Sequence, residues 1–116
     1  RFNPNKLSKF LSDVASMNLK ILVTEMDVED YKLPKDIQVR DRKVAGAYYD
    51  FLSVVLDSPA VEAVVTWGLS DRYTWLADYR PRSDKAPVRP LPLDEQMKRK
   101  AAWNAIARAL DEAPER

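Results

Sequence analysis

The chain has no cysteine and no histidine. Without cysteine it can form no disulfide, thiolate nucleophile or cysteine-based zinc site. That absence leaves the redox compartment open. Without histidine a Ser-His-Asp relay cannot be assembled from these residues, and the usual nitrogen ligands for metals are missing. No metal or cofactor is expected. No apolar run approaches the length needed to cross a bilayer. Nineteen basic residues against eighteen acidic ones leave a net charge of +1. No bulk field therefore draws nucleic acid or an anionic membrane. There is no internal repeat of the solenoid kind. The chain opens on Arg1 without a signal-peptide pattern, so its first residue is expected to be a cut or processed end. What remains is carboxylate chemistry, lysine or tyrosine chemistry, or no chemistry at all.

What is present fits a soluble globular protein, with 46% hydrophobic and 32% charged residues in 116 positions. That length suits one domain with a real core. Asn3-Pro4 reads as a helix start, with Asn3 as N-cap and Pro4 at the first helical position. Leu7, Phe10, Leu11 and Val14 follow at helical spacing, and Asn18 provides the break. Residues 19–28 read as a strand whose nearly continuous apolar run predicts burial on both faces, as in a parallel sheet. Residues 29–36 are a polar loop. A second helix over 37–57 buries Val44, Tyr48, Phe51, Leu52 and Val55, with one ring of Tyr48-Tyr49 packed and one at the surface. Residues 61–67 form a second strand, closed by Gly68. Residues 69–94 are irregular and hold four of the eight prolines. So long a loop in a compact domain is usually functional. A last helix over 94–110 takes Asp94 as N-cap, with Met97 and Ala101 on its apolar side and Trp103 as packing.

The most informative segment is Leu19-Lys20-Ile21-Leu22-Val23-Thr24-Glu25-Met26-Asp27-Val28. It ends in two carboxylates two residues apart, so Glu25 and Asp27 share a face, roughly 7 Å apart along the strand. An acid pair at the carboxyl end of a buried parallel strand is where α/β barrels keep their chemistry. On this segment alone, the plainer reading is a strand end running into a solvated acidic turn, since Glu29 and Asp30 follow. The second cluster is Trp67-Gly68-Leu69-Ser70-Asp71-Arg72-Tyr73-Thr74-Trp75. Trp67 and Trp75 suit a sugar platform, on which the C–H face of a pyranose packs against an indole. Barrel-rim packing explains them equally well. Asp71 and Arg72 read as a salt-bridged loop anchor, and Lys98-Arg99-Lys100 as a solvated helix face.

The order helix, strand, helix, strand, helix argues for an α/β fold with parallel strands. Two strands do not make a stable parallel sheet, because both faces and both edges need cover. The chain reads as a slice of something larger, and its open edges predict self-association or complementation by other strands.

Val23-Thr24-Glu25-Met26-Asp27-Val28 resembles the nucleophile signature of glycoside hydrolase family 10, the endo-β-1,4-xylanases. Thr66 to Leu76 is similar to that family's segment at the last barrel strand. Leu91-Pro92-Leu93-Asp94 with Lys100-Ala101-Ala102-Trp103 is similar to its run into the final helix. Met26 is a conservative departure from the Leu, Ile or Tyr usual there. The resemblance implies the C-terminal portion of a (β/α)8 TIM barrel, from the sixth helix and seventh strand to the eighth helix. It implies that Glu25 is the nucleophile of a retaining endo-1,4-β-xylanase. Asp27 would support the site, in the family by bonding a His on the preceding strand. Trp67 and Trp75 would line the subsites next to the cleaved bond, with β-1,4-xylan or xylo-oligosaccharide as partner. The family's acid/base is a Glu on the fourth strand, upstream of these residues, so the chain alone is expected to be inactive. The family also suggests a secreted or periplasmic location. A whole barrel takes about 250 residues. The alternative is a non-catalytic carbohydrate-binding or oligomeric remnant.

Overall fold

A computed structural model describes residues 2–116. Asn3 caps the first helix, α1 (Pro4–Ser16), by accepting from the Lys6 amide at 3.1 Å. The helix stops where Asn18 enters the left-handed region at φ 57°, a conformation an asparagine tolerates. Strand β1 (Ile21–Met26) follows. Asp36 then caps α2 (Ile37–Val55) by accepting from the Val39 amide at 2.9 Å. Strand β2 (Val61–Thr66) lies parallel to β1. Between Val23 and Met26 the register advances three residues on β1 for two on β2, so β1 carries a bulge at Thr24-Glu25. A 3-10 turn (Asp71–Tyr73) and a short helix α3 (Leu76–Tyr79) lie within the long stretch after β2, and α4 (Ala101–Glu112) ends the fold.

The core forms because one face of each element is apolar. Met26, Val44, Tyr48, Leu52, Leu56, Ala102 and Ala109 pack as one cluster between β1, α2 and α4. Leu11, Val55 and Val61 form a second cluster under α1, with Leu7, Ile21, Val23 and Val64 against it. Phe10, at helical spacing with Leu7, Leu11 and Val14, is exposed.

Several expectations are corrected. The sheet is covered on one face only: Leu22 and Val65 are 59% and 50% exposed, because two strands leave the other face open. The last helix starts at Ala101, not Asp94. Residues 94–98 form a turn between Leu93 and Arg99, which bridge antiparallel. The Asp94 carboxylate accepts from the Gln96 and Lys98 amides at 2.9 Å each, using its capping chemistry on a turn. Met97 sits at φ 62° there, outside any right-handed helix, and is exposed. Finally, Asp71 and Arg72 do not pair. Asp71 is buried and meets Lys100 at 2.9 Å, whereas Arg72 lies over the ring of Tyr73. Lys100 is accordingly buried and donates to the carbonyls of Arg89 and Leu91 at 2.8 Å, so it is no solvated helix face.

Candidate functional site

The site residues gather at the carboxyl ends of the two strands. Val23 and Met26 both pack against the helices, and the bulge between them leaves Thr24 and Glu25 exposed. Strict alternation from Ile21 and Val23 would have put Glu25, not Met26, at the buried position. A bulge is a recurrent way to re-aim one side chain beside a site. Glu25 is exposed, and Met26 between it and Asp27 is buried. Glu25 and Asp27 both line an open cleft of about 360 Å³ between β1 and α2, with Tyr48 and Phe51 on its helical wall.

Asp27 is tied across the molecule. One of its carboxylate oxygens, Oδ2, accepts from the indole Nε1 of Trp75 at 2.8 Å. Partial burial raises the Asp27 pKa, the Trp75 bond opposes that rise, and the nearby Glu29 charge adds to it. The Trp75 ring also stacks on Tyr79, with centroids 4.4 Å apart. Trp75 and Tyr79 are four residues apart at the edge of α3, the spacing that brings helical side chains together. Trp67 follows β2 directly, and its amide donates to the Met26 carbonyl at 2.9 Å, extending the strand pairing by one residue. Trp67 and Trp75 are 48% and 45% exposed. Neither lines the Glu25 cleft. Among the described residues, the side-chain bond between these carboxylates and Trp75 is made by Asp27.

The loop that holds Trp75 is fixed from below. Gly68 turns the chain at φ 103°, and a Cβ there would lie 3.0 Å from Leu91 Cδ1. One Asp71 carboxylate oxygen accepts from the Leu91 amide at 2.9 Å, and Ser70 donates its hydroxyl to the Asp94 carbonyl at 2.7 Å. Burial pushes the Asp71 carboxyl up and the Lys100 ammonium down, while each partner's charge opposes the shift. A second anchor joins the loop after β1 to residues 82–89. Buried Asp30 faces buried Arg40 at 3.4 Å and accepts from the Arg89 amide at 2.9 Å. Arg82 donates to the carbonyls of Asp30 and Leu33. Arg89 grips Asp41 with two bonds of 2.8 Å. Tyr48, the packed ring of the tyrosine pair, donates its hydroxyl to the Pro90 carbonyl.

Sequence reasoning missed these partners because they lie 9 to 59 residues apart along the chain. It also missed Tyr79 and Arg80, although the Trp75–Tyr79 spacing was visible. No cluster of histidine, cysteine or acidic residues suited to a metal occurs among the described residues.

The model of glycosyl hydrolase family 10 matches residues 1–109. Endo-1,4-beta-xylanase B of Thermotoga neapolitana is 31% identical over 110 residues, covering 95% of this chain and 30% of the relative. The structure of native xylanase 10B from Thermotoga maritima superposes with a TM-score of 0.83 at 29% identity, covering 96% of this chain and 33% of that one. Xylanase 10B from Thermotoga petrophila, solved with xylobiose, gives the same TM-score and identity over 32% of its length. This chain thus spans about a third of the relatives it matches. Its two parallel strands and their helices are an open portion of a TIM barrel, not a closed one. The chain belongs to glycosyl hydrolase family 10.

Proposed function

We propose that this chain carries the nucleophile half of a retaining endo-1,4-β-xylanase site, with Glu25 as the nucleophile. The observation that carries the reading is the position of Glu25. It stands exposed at the carboxyl end of a parallel strand, at a bulge, inside the segment matched by the family. Its carboxylate would attack the anomeric carbon and form a glycosyl ester, which water then hydrolyses.

Retention needs a second carboxyl about 5–5.5 Å from the nucleophile, protonated to release the leaving sugar and then basic to activate water. Asp27 is a poor candidate. It leaves the same strand end as Glu25 and is engaged by Trp75. Its support role is to hold the Trp75 indole, and Trp75 and Trp67 line the subsites next to the scissile bond. The acid/base then comes from outside these residues, and the chain alone does not turn over substrate.

The test is hydrolysis of an aryl β-xylobioside by the 116-residue chain and by the same chain grafted in place of the matching third of Thermotoga maritima xylanase 10B. The reading expects no turnover by the chain and turnover by the graft. Turnover by the isolated chain at the rate of the intact relative would overturn the half-site reading. A folded graft without activity would overturn the assignment of Glu25.

A further inference from the structure

Beyond the strand ends, the exposed surface carries an ordered stack of rings and charge that reaches the candidate site. Arg80 follows α3 directly. Its guanidinium carbon lies 5.3 Å from the ring centre of Tyr79 and 5.2 Å from that of Tyr31. Tyr31 belongs to the loop after β1, so the stack spans the loops that follow both strands. Tyr79 in turn stacks on Trp75, and Trp75 is bonded to Asp27. The order Asp27, Trp75, Tyr79, Arg80, Tyr31 is therefore continuous from the candidate site outward.

Two ring faces fix the plane of a guanidinium but leave its N–H edges free. The Arg80 side chain donates no hydrogen bond to any described residue. Its acidic neighbour is Glu29, whose Oε1 is 3.8 Å from Nε, too far for a hydrogen bond. The two side chains are 45% and 42% exposed. Such a pair holds little energy and is easily displaced. A second cation, Lys32, lies over the same Tyr31 ring at 5.3 Å. A planar donor fork beside a sugar platform, loosely occupied by a carboxylate, matches a carboxylate on a sugar.

We infer that Arg80, held between Tyr31 and Tyr79, binds the carboxylate of an acidic sugar substituent on the glycan, in the place Glu29 now occupies. The inference rests on the xylan reading above and deepens it by naming a charged subclass of substrate. Tyr31 and Tyr79 both lie against the guanidinium, whose side chain is 45% exposed. Glu29 competes with the ligand and sets how strongly it is preferred.

The experiment is an NMR titration of the 116-residue chain, followed at the Trp75 indole N–H. The two ligands are a neutral xylo-oligosaccharide and the same oligosaccharide bearing one uronic-acid branch. The acidic ligand is expected to bind about three- to fivefold tighter, the size of a half-exposed ion pair. Salt of about 0.5 M removes the difference. Arg80→Gln removes it as well while leaving neutral-ligand binding unchanged, which also reports that the variant is folded. Glu29→Gln shifts the ratio the other way, enlarging the preference. Equal affinity for the two ligands, or a preference that survives Arg80→Gln, would overturn the inference and leave the xylan reading standing. Binding of neither ligand would overturn the inference and remove the sugar platform on which it rests.

Discussion

Trp75 donates its indole hydrogen to Asp27 across 48 residues of sequence, at 2.8 Å. The bond joins the loop after β2 to the end of β1, the strand that carries Glu25. It fixes one edge of the Trp75 ring while leaving the ring itself half exposed. It also opposes the rise that burial imposes on the Asp27 pKa, because the bond favours the ionised carboxylate that burial disfavours.

Replacing Trp75 with Phe removes that donor and keeps the ring. The Asp27 carboxyl, already raised by burial, should titrate higher still. A carboxylate whose pKa is raised by folding costs stability as pH rises from its unfolded value through its folded one. Trp75→Phe should therefore lose more stability near neutral pH than at acid pH. An NMR titration of the Asp27 carboxyl carbon, with thermal melts at both pH values, checks it. An unchanged Asp27 titration would show that the bond does not govern its charge.

The buried Asp71–Lys100 pair predicts an asymmetric mutant cycle. Lys100→Met leaves the Asp71 carboxylate buried without its cation, which costs about 3–5 kcal/mol. Adding Asp71→Asn removes the orphaned charge and keeps an oxygen for the Leu91 amide. The double variant should be clearly more stable than Lys100→Met alone in urea unfolding. Additive losses would mean that the pair is not coupled.

Arg82 holds the Asp84 carboxyl down to about 2 from an ordinary 3.8. The folded value is below the unfolded one, so this contribution is complete above pH 3.8 and lost as pH falls from there through about 2. Asp84→Asn should flatten the dependence of the melting temperature on pH within that window and leave other pH ranges unaltered. An identical acid slope in the variant and the parent would contradict the assignment.

The open face of the sheet predicts self-association of the 116-residue chain. Leu22 and Val65 are exposed on it, and among the described residues no further strand pairs with the outer edges of β1 and β2. Such edges and apolar faces recruit other chains. Light scattering should show mass rising with concentration, and Leu22→Lys combined with Val65→Lys should suppress that rise. A monodisperse monomer over a wide concentration range would count against it.

How far the sequence was legible follows from range. The cap at Asn3, the break at Asn18, the buried stripe of α2 and the parallel strand pair could all be read from neighbouring residues. The start of α4 could not. Asp94 offers its side chain to a turn as readily as to a helix, and only the pairing of Leu93 with Ser70 and Arg99 decides between them. Lys100 looked solvated because its partner, Asp71, lies 29 positions away. At the site, the spacing of Glu25 and Asp27 was visible. The bulge that leaves Glu25 exposed and Met26 buried depends on register with β2, which no local pattern encodes. The open face of the sheet follows from having two strands, so an apolar run that reads as doubly buried is covered on one side only.

Locating a trapped sugar on the protein tests the central claim most directly. The chain grafted onto the remaining two-thirds of Thermotoga maritima xylanase 10B would be treated with a 2-fluoro-xylobioside carrying a dinitrophenolate leaving group. Such a leaving group departs without acid assistance, so the reaction reports on the nucleophile. Mass spectrometry of the digested protein should place one xylobiosyl ester on Glu25. Glu25→Gln should abolish the label and lower hydrolysis by at least about 10⁴-fold, as loss of a nucleophile does elsewhere. A label on any other residue, or undiminished hydrolysis in Glu25→Gln, would contradict the account.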